Sequence, residues 1–129
     1  MNDLSFKKEV LGTVDQVCEK VAAAIQPIGF GILTRIDFDQ KIKEKLNETI
    51  SRTVILGSCN PKLALEAFRQ STDVALLIPC NIVVRELTKD KVIVEAMRPT
   101  KMLNFLKDVS GGAFMENVEK DLERVILSL

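Results

Sequence analysis

The sequence predicts an α+β fold: a single domain over residues 1–129, with helices packed on a mixed sheet of about five strands. Three observations predict it. A chain of 129 residues is long enough to bury about two-thirds of its unfolded surface around one core. β-branched runs alternate with segments of helical spacing in the first half, which indicates some parallel pairing, and a later hairpin adds antiparallel edges. The predicted order is β-α-β-α-β-α-β-β-α-α, and α/β is the alternative class.

The chain begins with a predicted strand over residues 4–10. Thr13 is a good N-cap for the helix that follows, and Pro27 and Gly29 end that helix. A second strand is predicted over residues 29–36. The helix between the two strands has apolar residues at helical spacing, namely Val14, Val17, Cys18, Val21, Ala24 and Ile25.

Asp37 or Asp39 is expected to cap a short charged helix, and residues 52–56 form a β-branched run that predicts the third strand. Asn60 and Pro61 then provide an N-cap and a proline at the first helical position. They predict a helix that ends at residue 70. Its inward residues are expected to be Leu63, Ala64, Ala67 and Phe68.

Residues 81–87 and 92–97 are two β-rich runs joined by a polar turn, which predicts a hairpin. Residues 99–109 are expected to form a helix, and Gly111-Gly112 to break it. A final helix is predicted from Ala113. It should bury Val118, Leu122, Val125 and Ile126.

The composition excludes several classes of function. Eighteen basic residues balance 18 acidic ones, so no net field attracts nucleic acid or anionic lipid. The chain has six Phe but no Trp or Tyr, which removes the usual stacking platform for bases. It has no histidine, and this excludes histidine-based triads and histidine metal ligands. Neither a nucleic acid nor a membrane is therefore expected as a partner.

The expected compartment is the cytoplasm. Residues 1–6 are polar and lack the apolar core of a signal peptide. The longest apolar run, residues 74–78, is far shorter than the roughly 20 residues that span a bilayer. Three cysteines without a secretion signal indicate free thiols in a reducing environment.

Two similar motifs predict the candidate site. The run Gly57-Ser58-Cys59-Asn60-Pro61 follows one β-type run, and Pro79-Cys80-Asn81 precedes another, so each Cys-Asn pair lies at a strand end. A strand end presents a thiol to a ligand more readily than a strand centre does. The predicted ligand-binding residues are Gly57, Ser58, Cys59, Asn60, Cys80 and Asn81.

Cys59 and Cys80 have three interpretations. As a converging thiol pair they would bind a soft metal such as Zn or Cu(I), or they would cycle as a dithiol. The dithiol role would benefit from the helix that starts after Cys59, because the dipole of that helix would lower the pKa of the Cys59 thiol. The third interpretation is ordinary burial, since free cysteine commonly packs as a small apolar residue, as is expected of Cys18.

An anion is the other candidate ligand of this region. Free N–H groups at the helix start that follows Cys59 would hold a phosphate or a carboxylate, with close approach allowed by Gly57 and a hydroxyl supplied by Ser58. A helix cap explains Asn60 and Pro61 equally well. No Walker-type lysine follows, so a nucleotide-phosphate loop is not indicated.

The same motifs carry a resemblance that covers essentially the whole chain. Its residues are Gly29 and Phe30, then Gly57, Cys59, Asn60 and Pro61, then Leu77, Pro79, Cys80 and Asn81. In these the chain resembles the bacterial and archaeal domain-of-unknown-function family three hundred and two. The resemblance implies a compact α+β domain that pairs as a homodimer, and it implies no activity. The Gly111-Gly112 pair departs from the pattern.

Three classes of function follow. The first is a homodimeric module that binds a small molecule, an anion or a soft metal near Cys59, Asn60 and Cys80. The second is a thiol-dependent redox protein or enzyme, in which Cys59 is the nucleophile and Cys80 the resolving thiol. The third is a structural or protein-interaction domain. Enzyme is the weakest class, because the chain has no histidine and no coherent acid–base pair.

Overall fold

The computed structural model describes residues 3–106, 109 and 112–129. Within them, the strands are β1 (Ser5–Leu11), β2 (Gly31–Asp37), β3 (Thr53–Cys59), β4 (Cys80–Thr88) and β5 (Lys91–Met97). The α-helices are α1 (Val14–Ile25), α2 (Phe38–Leu46), α3 (Pro61–Gln70), α4 (Pro99–Leu103) and α5 (Gly112–Leu127), and the 3-10 helices are Gln26–Ile28 and Thr72–Leu76. The α+β class and the predicted order of strands and α-helices are confirmed.

The five strands form one sheet in the order β1-β5-β4-β3-β2, and every neighbouring pair is antiparallel. The expected parallel pairing, and with it the α/β alternative, is wrong. Strands β1 and β2 lie at opposite edges of the sheet, so α1 does not connect parallel neighbours. Helices α2 and α3 are inserted into connections between antiparallel neighbours, which alternation along the sequence does not distinguish from parallel crossovers.

One face of the sheet carries the core. Alternate strand residues are buried, and the stripes of α1 and α5 pack against them in a single cluster. Small buried strand residues include Cys80 and Ala96, and the large apolar ones are Phe6, Val10, Val54, Leu56, Ile82, Val84, Val92 and Val94. Each such side chain contributes roughly 1.5–3 kcal/mol when it is fully buried, which makes this layer the main source of stability. Cys18 is buried in it, as predicted.

The opposite face of the sheet carries side chains that stay partly exposed. One row runs across all five strands in register: Lys7, Glu95, Val83, Ile55 and Ile36. We call this row, together with Ile93 and Met97, the open face. Both ends of the row are exposed, at Lys7 on β1 and at Ile36 on β2, and Ile36 is its most exposed apolar residue, at 43%. Within the described residues, no helix is long and apolar enough to cross a membrane.

Two helix starts follow the sequence closely. Thr13 and Gln16 form a capping box, in which the Gln16 N–H donates to Thr13 Oγ1 at 3.2 Å and the Thr13 N–H donates to Gln16 Oε1 at 3.1 Å. Helix α3 has the predicted bounds and the predicted Asn60 cap. The prediction that its inner face is buried is confirmed for Leu63 and Ala67. It is wrong for Phe68, which is 44% exposed.

The prediction that an Asp37 or Asp39 side chain caps α2 is wrong, although Asp37 occupies the N-cap position. Both carboxylates bind the Arg52 guanidinium, at 2.9 Å for Asp37 and 3.0 Å for Asp39. Asp39 also accepts the Thr53 N–H at 3.1 Å, and Arg35 binds Asp37 at 3.1 Å. The arginines lower the pKa of Asp37. The carboxylates bind the arginines rather than the N–H groups at the start of α2, because a hydrogen bond between two charged partners is stronger than a cap hydrogen bond to a neutral N–H.

The predicted helix over residues 99–109 is shorter in the structure, because α4 ends at Leu103. Residues 107 and 108, and Gly111 of the predicted glycine break, lie outside the described residues. Gly112 is described as the first residue of α5 and has a φ of 54°. The four residues predicted to be buried by the last helix are all buried.

Gly57 sits where no side chain fits. A Cβ added to it would lie 2.6 Å from Cγ of Pro79 and would also collide with Oγ1 of Thr34. Gly57 therefore lets the two cysteine motifs pack directly against each other. We expect Gly57→Ala to destabilise the protein by about 1–3 kcal/mol, because overpacking displaces backbone or ring atoms.

Gly31→Ala is the matched control for that substitution. Gly31 is also a strand glycine, and a Cβ there would meet no atom within 4 Å. Chemical denaturation of both variants measures the difference. A Gly57→Ala variant as stable as Gly31→Ala would contradict the close packing of the two motifs.

Candidate functional site

The pairing of β3 with β4 brings the two cysteine motifs together. In this register Ser58 lies directly opposite Cys80, and Gly57 lies opposite Asn81. The Ser58 side chain is completely buried, and its hydroxyl donates a hydrogen bond of 2.9 Å to the Cys80 carbonyl oxygen. This bond ties the end of β3 to the start of β4 inside the core.

A narrow pocket lies where these strand ends meet α3 and α4. Its volume is about 20 Å³, which is room for about one water molecule. Sites for drug-sized ligands have volumes of about 300–1,000 Å³, so the pocket in this conformation suits only a very small ligand. Its lining residues are Phe30, Ser58, Cys59, Asn60, Leu63, Ala64, Ala67, Val74, Ile78, Cys80, Met102 and Leu103.

Three sulfur-bearing residues, Cys59, Cys80 and Met102, are among those that line this pocket. The Cys80 thiol contacts the thioether directly, with 3.6 Å between Sγ of Cys80 and Sδ of Met102. Cys80 and Met102 are buried, at 8% and 7% exposure, whereas Cys59 is partly exposed. These three residues belong to the end of β3, the start of β4 and α4. They are distant in sequence, and the fold brings them to one cavity.

Helix α4 holds Met102 in place because its second residue, Thr100, and the preceding residue, Arg98, are bound to α5. The Thr100 N–H and hydroxyl both donate to Glu119 Oε1, at 2.8 and 2.7 Å. Arg98, which precedes α4, binds Glu123 at 3.1 Å and lies over the Phe6 ring at 4.5 Å. A helix as short as α4 is not stable alone, so these tertiary contacts fix the position of the thioether.

Burial keeps the two motif thiols protonated. It raises the pKa of Cys80 to about 12, with a smaller contribution from the charge of Cys59. Burial also raises the pKa of the Cys59 thiol. This direction is opposite to the lowered pKa that the start of α3 was expected to give the Cys59 thiol, and its cause is the burial of the thiol. Cys18, Cys59 and Cys80 all lie in the described residues, and none of them forms a disulfide.

The start of α3 offers little to an anion. Pro61 has no N–H, Asn60 Oδ1 accepts the Leu63 N–H at 3.1 Å, and the Asn60 carbonyl accepts the Ala64 N–H at 2.9 Å. Three of the first four helical positions therefore cannot donate to a ligand. The structural role of Asn60 as a cap accounts for its burial at 8% exposure.

The structure gathers four of the six predicted site residues. Ser58, Cys59, Asn60 and Cys80 line the pocket, whereas Gly57 and Asn81 are paired beside it and do not. Asn81 is exposed and lines a separate surface depression that contains Pro79 and Met97. Sequence reasoning missed Met102 as a pocket residue, because nothing in its local pattern separates it from the other core methionines.

A closed zinc site is not formed by this arrangement. Across the described ranges 3–106, 109 and 112–129, no group of three or more Cys, Asp or Glu side chains is arranged to hold a metal ion. Structural zinc takes four ligands, chiefly thiolates and imidazoles. The chemistry that these residues offer is that of two thiols and one thioether in an apolar shell.

The fold and these motifs have counterparts among known proteins. The chain is similar to a solved structure described as an uncharacterized conserved protein DUF302 from Bacillus stearothermophilus, with a TM-score of 0.84 and 22% sequence identity over 97% of each chain. At that identity the likeness establishes the fold. A search of the curated proteins found no match.

The family model called "Domain of unknown function DUF302" matches residues 6–129. The match includes every strand and helix from β1 onward except Ser5, the first residue of β1, and it contains both cysteine motifs. The resemblance that these motifs suggested is thereby confirmed, and the chain belongs to the DUF302 family.

Proposed function

We propose that this protein is a small binding module whose ligand occupies the pocket between β3, β4, α3 and α4. The observation that carries the proposal is the convergence of Cys59, Cys80 and Met102 on one cavity. Packing alone does not require three sulfur side chains from three separate elements at one place. The ligand is of the size of one ion or of a few atoms, because the pocket volume is about 20 Å³.

The pocket environment supports binding rather than nucleophilic catalysis. Apart from Ser58 and Asn60, its lining is apolar or sulfur-bearing, and the Ser58 hydroxyl and the Asn60 side-chain oxygen are already hydrogen-bonded. A nucleophilic thiol requires a thiolate, which burial disfavours for Cys59 and Cys80. A ligand that displaces the thiol protons, or one that prefers a dry apolar cavity, suits this site better.

A thermal-shift experiment on reduced protein tests the binding proposal. The probes are Zn²⁺, Cu(I), inorganic phosphate and xenon, each added to the wild type and to the Cys59→Ala/Cys80→Ala variant. At about 100 times its dissociation constant a ligand stabilises the folded state by about 2.7 kcal/mol, which raises Tm by roughly 10 °C. We expect at least one probe to produce such a shift in the wild type and none in the variant.

Cys18→Ala is the control for that experiment, because Cys18 is a buried thiol of α1 that does not line the pocket. It should keep the ligand-dependent shift of the wild type. Equal shifts in the wild type and the double variant, or no shift with any probe, would contradict the proposal and favour a structural role for both motifs.

The redox alternative makes a different prediction about thiol reactivity. We expect native Cys59 to be alkylated by iodoacetamide at pH 8 more slowly than free cysteine, and Cys80 more slowly still, because burial raises both pKa values. Mass spectrometry of the native and guanidinium-unfolded protein gives the rate at each site. A Cys59 that reacts faster than free cysteine would favour thiol chemistry over binding.

We also propose that the module is a homodimer that pairs through the open face. Apolar side chains occupy the β2, β3 and β4 part of its central row, and Lys7 and Glu95 pair with each other at 3.6 Å toward the β1 edge. Five strands spaced about 4.8 Å apart, with about 20 Å of length, give a face of about 500 Å². A standard interface buries about 800 Å² per partner, so the pairing should depend on concentration.

Sedimentation of the wild type and of Val83→Lys tests the dimer. Val83 lies on the central strand of the sheet and in the middle of the row, so a charge there should abolish self-association. Leu65→Lys is the control, because Leu65 is 50% exposed on α3 and lies outside the open face. A wild type that stays monomeric at high concentration, or equal association in both variants, would refute pairing through this face.

A further inference from the structure

We propose that the pocket is a Cu(I) site whose ligands are the sulfur atoms of Cys59, Cys80 and Met102. The inference rests on the binding role proposed above and gives it a ligand. Two of the sulfurs are already in contact, since Sγ of Cys80 lies 3.6 Å from Sδ of Met102. A copper ion inserted between them would need only small adjustments of two flexible side chains.

The third sulfur is supplied by the strand register. Cys59 follows Ser58, whose Cα lies opposite that of Cys80, so the Cα atoms of the two cysteines are about 6 Å apart by standard strand spacings. Cys59 and Cys80 are both lining residues of the same pocket, and the charge of Cys59 contributes to the raised pKa of Cys80, so the two thiols are near each other. Cys59 is also the accessible member of the set, because it is partly exposed while the other two are buried. The ion would therefore enter past Cys59.

The size and polarity of the pocket select an ion over an organic ligand. A volume of about 20 Å³ accommodates a single ion, and the surrounding side chains include Phe30, Leu63 and Leu103. Such a shell excludes water. The exclusion of water would protect bound Cu(I) from dissolved oxidants and from exchange of its ligands with water.

The donor set selects Cu(I) among the metals. Thiolate and thioether sulfur are soft ligands that prefer Cu(I), which is satisfied by two or three of them. Zinc requires a fourth ligand, and within the described residues no further Cys, Asp or Glu side chain joins the pair. Hard cations such as Mg²⁺ and Ca²⁺ require several oxygen ligands, whereas the only side-chain oxygens among the described lining residues are those of Ser58 and Asn60, and both are already hydrogen-bonded.

The binding step conserves the oxidation state of the metal. Two S–H bonds break, two Cu–S(thiolate) bonds and one Cu–S(thioether) bond form, and two protons pass to solvent. The complex of Cu⁺ with two thiolates carries one net negative charge. Affinity should therefore rise with pH, since proton release accompanies binding.

The test is an anaerobic titration of the reduced full-length protein with Cu(I) in competition with a coloured Cu(I) chelator. We expect the wild type to retain one Cu(I) per chain, with an ultraviolet sulfur-to-copper charge-transfer band. Cys59→Ser and Cys80→Ser should lose the ion to the chelator. Met102→Leu should weaken retention at least tenfold while it preserves the side-chain volume.

Matched controls are Cys18→Ala and Met115→Leu, which remove a buried thiol and a buried thioether outside the pocket. Both should bind Cu(I) as the wild type does. If Met102→Leu retains Cu(I) as tightly as the wild type, the thioether is not a ligand. If the cysteine variants also retain it, the proposal is overturned.

The outcomes separate this inference from the binding role on which it rests. If Cu(I) is not retained but Zn²⁺, phosphate or xenon produces a thermal shift that needs Cys59 and Cys80, the copper site is refuted and the binding module stands. If no probe produces a shift, both fail. Circular dichroism of each variant confirms that it is folded, so loss of binding cannot be assigned to unfolding.

Discussion

The antiparallel pairing of β3 with β4 is the constraint on which the rest of the site depends. It aligns the end of one cysteine motif with the start of the other, and Ser58 opposite Cys80 fixes the register from inside the core. A slip of one residue would turn the buried residues of β4 toward the open face. Gly57 makes the alignment sterically possible, because Pro79 occupies the space where its side chain would be.

The pocket depends equally on a second layer of contacts far from the two motifs. Glu119 and Glu123 of α5 bind the residues that begin α4, and this places Met102 over Cys80. The last helix therefore serves two purposes: its apolar stripe closes the core, and its acidic side chains position one wall of the pocket. The stability of the fold and the geometry of the site are coupled through these two carboxylates.

Burial decides the chemistry of the site. Burial of Cys80 and partial burial of Cys59 raise the pKa of both thiols, so both are held in the neutral form. A neutral, buried pair is a poor nucleophile and a poor redox couple, but it is a suitable ligand set for a soft ion that displaces its protons.

Several helix boundaries and buried faces of this protein follow from residues that are close together in the sequence. The Thr13 capping box, the bounds of α3 from Asn60 and Pro61, and the buried stripe of α5 each depend on residues within a few positions of one another. For the same reason the sequence predicted the hairpin of β4 and β5.

Only the tertiary structure decided the order and direction of the strands, the arginine partners of Asp37 and Asp39, and the place of Met102 beside Cys80. Each of these depends on contacts between residues far apart in the chain, and composition and periodicity contain no information about which distant residues meet. The raised pKa values of Cys59 and Cys80 follow the same rule, because burial is a property of the packed chain.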